Sequence, residues 1–131
     1  MAILLPVTLT SAAAAAILNF WLALRVGQLR VRLKVLHGDD GGPLMRRMRA
    51  QANFIEYTPI VLILIAVIEL TGKGAPWLAW VSAAYILSRI AHAFGMDSDT
   101  GSKWRFVGIG VTMLVTLGLA VAATLIVLGV I

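Results

Sequence analysis

The longest uncharged stretches constrain this chain most. Residues 1–24 and 106–131 contain no charged side chain, and each is long enough for a membrane-spanning helix, which needs about 20 apolar residues. Only 13% of the 131 residues are charged and the mean hydropathy is +0.94, whereas soluble domains carry about 25% charged residues. The sequence therefore predicts an all-α membrane protein.

Two further spans complete a predicted four-helix bundle. The uncharged run 57–68 has only 12 residues, so the second span must extend back through Arg49 to Leu44. The third begins at Pro76, a residue favoured in the first helical turn, and ends near Met96. We expect a single domain over 1–131, with spans at approximately 3–26, 44–70, 76–96 and 105–130.

The positive charges gather at two of the three loops. Nine of the eleven Lys and Arg flank the first and third loops, and the second loop holds Lys73 alone. The positive-inside rule then predicts that loops one and three are cytoplasmic and both termini lie outside. The formal charge of +5 fits anionic lipid headgroups rather than nucleic acid, because the cations lie between apolar runs.

The sequence lacks the residues that several kinds of site require. With no cysteine, the chain offers no disulfide, thiolate metal site or cysteine nucleophile. His92 has no second His or carboxylate at metal-ligand spacing, which argues against a metal site.

Polar side chains nevertheless recur on two of the spans. The second span carries Arg49, Asn53 and Glu56 on one narrow face. The third carries a second stripe at helical spacing: Ser82, Tyr85, Arg89, His92 and Met96. A charge at the bilayer centre costs roughly 2.5–3.5 kcal/mol, so such residues face protein or water. We expect the stripes to share a cavity for a small anionic or zwitterionic ligand, since Arg clusters bind carboxylates and phosphates.

A purely structural interpretation also explains these residues. Glu56 could form a buried ion pair with Arg89 or Arg49, and ion pairs inside bundles need no ligand. His92 could be a hydrogen-bonded core histidine. Both interpretations stay open at the level of sequence.

The segment 49–59 carries a family resemblance. Its pattern, Arg49-Ala50-x-x-Asn53-x-x-Glu56-Tyr57-x-Pro59, closely resembles the second-helix signature of the MAPEG family, the membrane-associated proteins of eicosanoid and glutathione metabolism. Six identities stand at fixed spacing in the second of four spans, and chain length and loop charge also match. The first loop resembles that of bacterial members related to microsomal glutathione transferases.

The resemblance implies a homotrimer of four-helix subunits in a bacterial inner membrane, with glutathione bound between neighbours. Arg49, Asn53, Glu56 and Tyr57 match glutathione-contacting positions. Gln51 and Arg30 would reach the ligand across the subunit boundary, and Arg89 and His92 match third-helix positions that contact it. Met96 stands where the family has a Tyr, so a phenol that hydrogen-bonds the cysteinyl region would be missing.

The resemblance also implies a thiol-activating Arg at the start of the fourth helix. Arg105 is the preferred match and Lys103 the alternative. A guanidinium beside the sulfur lowers the pKa of a thiol from about 8.5, and the thiolate is the nucleophile. Glutathione would then be a co-substrate, conjugated to a lipid-soluble electrophile or used to reduce a lipid hydroperoxide.

Two rival functions remain. Because one branch of this family binds lipids without catalysis, the protein could be a non-catalytic lipid-binding or scaffold protein, which Met96 favours. A small transporter is the other, but discontinuous helices or inverted repeats are not evident in the sequence.

Overall fold

Four helices make up the fold. A computed structural model describes residues 3–74 and 76–131, with α1 at Pro6–Leu33, α2 at Pro43–Leu70, α3 at Trp77–Gly95 and α4 at Lys103–Val127. No strand occurs in these two ranges. The predicted all-α, four-helix fold is therefore confirmed. Helix α1 continues past the predicted span, which ended near residue 26. The prediction followed the apolar run, and the last two turns of the helix carry arginines beyond that run.

Three helices of the described chain, α1, α2 and α4, are long and apolar enough to cross a membrane. Helix α3 has 19 residues, about 28 Å at 1.5 Å per residue, but Arg89, His92 and two serines lower its mean hydropathy. Those side chains are buried within the bundle. Helix α3 therefore hides its polar groups from lipid rather than lacking the length to span it.

Two smaller buried clusters join α1 to its neighbours, and the largest cluster lies where α2, α3 and α4 meet. Its buried side chains include Val61 and Ile65 from α2, Leu78 and Tyr85 from α3, and Leu119 from α4. Large apolar side chains such as Phe20 and Leu117 are instead exposed on the outer surface. An apolar exterior of this kind suits contact with lipid tails.

The loop before α2 is ordered by a local cap. The Asp40 carboxylate accepts hydrogen bonds from the backbone N–H groups of Gly42, Leu44 and Met45 at 2.9, 3.3 and 3.0 Å. Partial desolvation raises the pKa of Asp40, but these donors outweigh it and lower the pKa below its usual value. Asp40 and Pro43 together explain why α2 begins here.

Helices α3 and α4 touch through two glycines. A Cβ on Gly95 would lie 2.2 Å from the backbone nitrogen of Arg105, and a Cβ on Gly108 would lie 2.4 Å from Cβ of His92. Only glycine permits such close approach. These two contacts fix His92 and Arg105 relative to each other.

Candidate functional site

A polar cavity of about 200 Å³ opens where α2, α3 and α4 meet near loop three. Helix α2 contributes Arg49 and Asn53, α3 contributes His92, and Met96 follows directly after α3. Helix α4 contributes Arg105, Phe106 and Ile109. Side chains from both predicted stripes therefore meet in one cavity, together with the start of α4.

Arg89 lies behind this cavity and is only 1% exposed. Its Nη1 donates to Oγ1 of Thr112 at 2.8 Å, and its Nη2 donates to Oδ1 of Asn53 at 2.6 Å. The same Nη2 lies 3.3 Å from Nδ1 of His92. Because Thr112 donates its own hydroxyl hydrogen to the Gly108 carbonyl, it serves Arg89 as an acceptor. Arg89 thus fixes Asn53 and His92 at the cavity wall.

No carboxylate among the described residues balances the positive charge of Arg89. Over the described residues, the ion pairs are Arg25–Asp97, Arg46–Asp99 and Arg47–Asp97, and Nε of Arg89 is buried without a hydrogen-bond partner. Burying a charge without a counter-charge is costly. The ion pair between Glu56 and Arg89 that the sequence allowed is not formed within one protomer.

The two candidate thiol activators differ in position. Arg105 is exposed and lines the cavity, whereas Lys103 is exposed outside it. The backbone contact with Gly95 holds Arg105 against α3. Within a single protomer, geometry therefore favours Arg105 over Lys103.

Other residues predicted for the site lie outside this cavity. Glu56 is exposed on α2, and Gln51 and Tyr57 are half-buried. Arg30 donates to the Gly38 carbonyl at 2.9 Å and contacts Sδ of Met48 at 3.3 Å, so it orders the first loop. The roles predicted for these residues across a subunit boundary stay predictions.

The N-terminal part of the polar stripe on α3 makes hydrogen bonds within the bundle. Tyr85 Oη lies 2.9 Å from Oγ1 of Thr58, and Ser82 pairs with Ser11 of α1. Only the part of the stripe near His92 therefore opens onto the cavity.

Sequence reasoning missed Phe106, Ile109 and Thr112. The first two line the cavity, and the third holds Arg89. The sequence contained one indication for Thr112. It lies one turn after Gly108 on α4, and its hydroxyl makes that face of the helix polar.

A larger groove of about 520 Å³ lies between α1 and α3, away from these groups. Its lining is mostly apolar, with residues such as Val7 and Leu87, and its polar side chains are the hydroxyls of Thr10, Ser11 and Ser82. It offers no charged side chain. The smaller cavity is therefore the candidate site, since Arg49 and Arg105 line it, Arg89 lies behind it, and its described lining contains no carboxylate. Such a set can bind an anion and stabilise a thiolate.

Comparison with known proteins agrees with this architecture. The family model of the MAPEG family matches residues 8–125. Curated relatives include the inner membrane protein YecN of Escherichia coli strain K12 and the protein of the same name in strain O6:H1, each 29% identical over 89 residues. Each match covers 66% of this chain and 66% of the relative, so the chain spans just under two thirds of those proteins. Since the family model covers most of the chain, this membrane protein belongs to the MAPEG family.

Proposed function

We propose that this protein binds glutathione in the cavity between α2, α3 and α4 and uses it as a co-substrate. The observation that carries the proposal is Arg89, a buried cation without a carboxylate partner in the described chain. Arg49 and Arg105 line the same cavity. Glutathione has two carboxylates, one ammonium group and a thiol, so it supplies the anionic charge that this cavity lacks.

Arg105 is the proposed thiol activator. Its guanidinium would favour the glutathione thiolate electrostatically, and the thiol proton would leave to water. The thiolate then attacks an electrophilic carbon of a lipid-soluble substrate and forms a carbon–sulfur bond. In a substitution the bond to the leaving group breaks, and in an addition the adjacent carbon takes a proton from water. With no cysteine in the chain, the only thiol at this site is the ligand's. The related activity is reduction of a lipid hydroperoxide by two glutathione molecules, which yields the alcohol, water and glutathione disulfide.

A neighbouring copy would complete the site. Glu56 is exposed in the middle of α2, and a carboxylate facing lipid at that depth costs roughly 2.5–3.5 kcal/mol on insertion scales. A polar or cationic partner on another protomer would offset that cost, and the contact would bring Glu56, Gln51 and Tyr57 toward a ligand held between subunits. We propose the homotrimer implied by family resemblance as this assembly.

The proposed location is a bacterial inner membrane, which is the location that the name of the Escherichia coli relatives gives for them. The pairs Arg46–Asp99 and Arg47–Asp97 place the first and third loops at the same end of the bundle. Most of the cations lie at that end. The charge bias favours a cytoplasmic position for it, which gives the cavity access to cytoplasmic glutathione.

One observation favours a second candidate, a non-catalytic lipid-binding or scaffold protein. Met96 lines the cavity, and a thioether cannot donate the hydrogen bond that a tyrosine would give to the cysteinyl region. A transporter gains no comparable support, because each of the four described helices is continuous, including α2 across Pro59.

Calorimetry in detergent tests the binding proposal. Glutathione should release heat with the parent protein and with Arg32→Gln, which removes a charge outside the cavity. Arg49→Gln should bind glutathione at least tenfold more weakly. Absence of heat from the folded parent protein at millimolar glutathione would overturn the proposal.

A further inference from the structure

We propose that a second, separate site binds the phosphate of an anionic phospholipid. A notch of about 400 Å³ lies between the end of α1, the start of α2 and the loop after α3. Its walls are Leu29, Arg32, Leu33, Pro43, Arg47 and Asp97. It shares no lining residue with the cavity assigned to glutathione.

Asp97 within the notch is already paired by protein. Arg25 forms an ion pair with one carboxylate oxygen, and Nε of Arg47 lies 3.5 Å from the other. Arg25 is itself held in place, with its guanidinium 4.7 Å from the centroid of the Trp21 ring and its Nη1 donating to the Ala93 carbonyl. Since its side chain is 9% exposed, Arg25 is a buried, pre-organised counter-charge for Asp97.

The notch therefore keeps an excess of positive charge. Its lining holds two arginines, Arg32 and Arg47, and one carboxylate, Asp97, and that carboxylate is also paired with Arg25. Nη1 of Arg47 donates a hydrogen bond to the Arg25 carbonyl oxygen at 3.1 Å, and Nε of Arg47 forms the ion pair with Asp97. Among the described residues, its Nη2 makes no hydrogen bond. Arg32 is exposed in the last turn of α1, so both guanidiniums can donate to a phosphate.

The apolar walls distinguish a lipid from a free anion. Leu29 and Leu33 are one turn apart on α1, with Arg32 beside them, and Pro43 faces them from α2. A cationic end next to an apolar wall matches the junction of a phospholipid, where the phosphate joins the glycerol esters and acyl chains. The notch also lies at the end of the bundle that holds most of the cations, at the depth where headgroups meet apolar helix surface.

Thermal unfolding in detergent tests this site, because a ligand that binds only the folded state raises the Tm. Phosphatidylglycerol should raise the Tm of the parent protein more than phosphatidylcholine does. Arg32→Gln should lose at least half of that difference. Lys34→Gln removes the same charge two residues later, outside the notch, and should keep it. Arg49→Gln should also keep it, which separates this proposal from glutathione binding.

Three outcomes would overturn the proposal. An equal loss in Arg32→Gln and Lys34→Gln would mean that charge acts diffusely rather than through the notch. An unchanged lipid effect in Arg32→Gln would remove the notch as the site. An equal rise in Tm with inorganic phosphate at the same concentration would identify a site for free anions instead.

A second measurement does not depend on stability. Trp21 contacts Arg25 beside the notch. With Trp77, Trp80 and Trp104 replaced by Phe in the parent protein and in each variant, brominated phosphatidylglycerol should quench the remaining fluorescence more than brominated phosphatidylcholine does. That preference should decrease in Arg32→Gln and persist in Lys34→Gln. Equal quenching by the two brominated lipids in the parent protein would contradict a specific lipid site.

Discussion

The carboxylate of Glu69, at the end of α2, caps Thr8 at the start of α1. Its Oε2 accepts hydrogen bonds from the backbone nitrogen and from Oγ1 of Thr8, both at 2.7 Å, and its Oε1 accepts one from the Val7 nitrogen at 2.8 Å. The first N–H groups of a helix lack partners within it, and the helix dipole favours an anion there. One side chain therefore joins two helices at the end of the bundle opposite the polar cavity.

Glu69→Ala should lower the free energy of unfolding by about 1 kcal/mol, the usual value of a lost helix cap. Thermal unfolding in detergent measures the change. Lys73 lies four residues after Glu69 but forms no ion pair with it among the described residues. Lys73→Gln should accordingly leave the Tm unchanged, and an equal loss in that variant would contradict the capping role.

A methyl group on Gly108 should disturb the site. Its Cβ would lie 2.4 Å from Cβ of His92, so α3 and α4 must separate, and such overpacking costs about 1–3 kcal/mol. Gly110 on the same helix has no atom within 4 Å of its Cβ position. Gly110→Ala should therefore stabilise the protein slightly, while Gly108→Ala lowers both the Tm and glutathione binding. Equal behaviour of the two variants would show that the close contact is unimportant.

Much of the bundle could be predicted because membrane spans and polar stripes are local patterns. The long uncharged runs indicated the helices, and the spacing of Arg49 with Asn53 and of Arg89 with His92 indicated that both helices carry polar faces. The structure brings these faces together. The cap that Glu69 provides was not predictable, because it joins residues 61 positions apart whose local sequence does not relate them.

The contacts of Arg30 could not be predicted from the sequence, for a different reason. Family resemblance predicts contact with the ligand, but within one protomer Arg30 donates to carbonyl groups of the first loop. Loop geometry depends on left-handed residues such as Lys34, Gly38 and Gly41, and the sequence does not specify how such a loop places its carbonyls. Roles across a subunit boundary depend on assembly rather than on one chain.

Arg105→Ala should abolish formation of the glutathione thiolate. Removing the guanidinium removes the charge that favours ionised sulfur, so the ultraviolet absorbance of the thiolate should vanish at neutral pH. Lys103→Ala provides the matched control and should retain the absorbance. Loss of the absorbance in Lys103→Ala alone would identify Lys103 as the activator. If both variants kept the absorbance, neither residue would be the activator.

A reporter fused after Ile131 tests the orientation of the chain. The charge bias of loops one and three predicts that both termini lie outside the cytoplasm. A phosphatase that folds only in the periplasm should therefore be active at this position and inactive when fused within the first loop. Activity in the first-loop fusion alone would reverse the predicted topology.

The isolated charge of Arg89 permits a test that separates ligand binding from structure. If this charge is retained for a ligand, Arg89→Gln should keep or raise the Tm without glutathione, because replacing an unbalanced buried cation removes a desolvation cost. The same variant should release no heat with glutathione and gain no Tm from it. The glutamine amide can still donate a hydrogen bond to Asn53 or Thr112. The substitution therefore does not leave both acceptors unpaired, and it should not unfold the protein for that reason. A variant that unfolds more readily yet binds glutathione normally would show that Arg89 serves the bundle, and the proposed function would lose its main support.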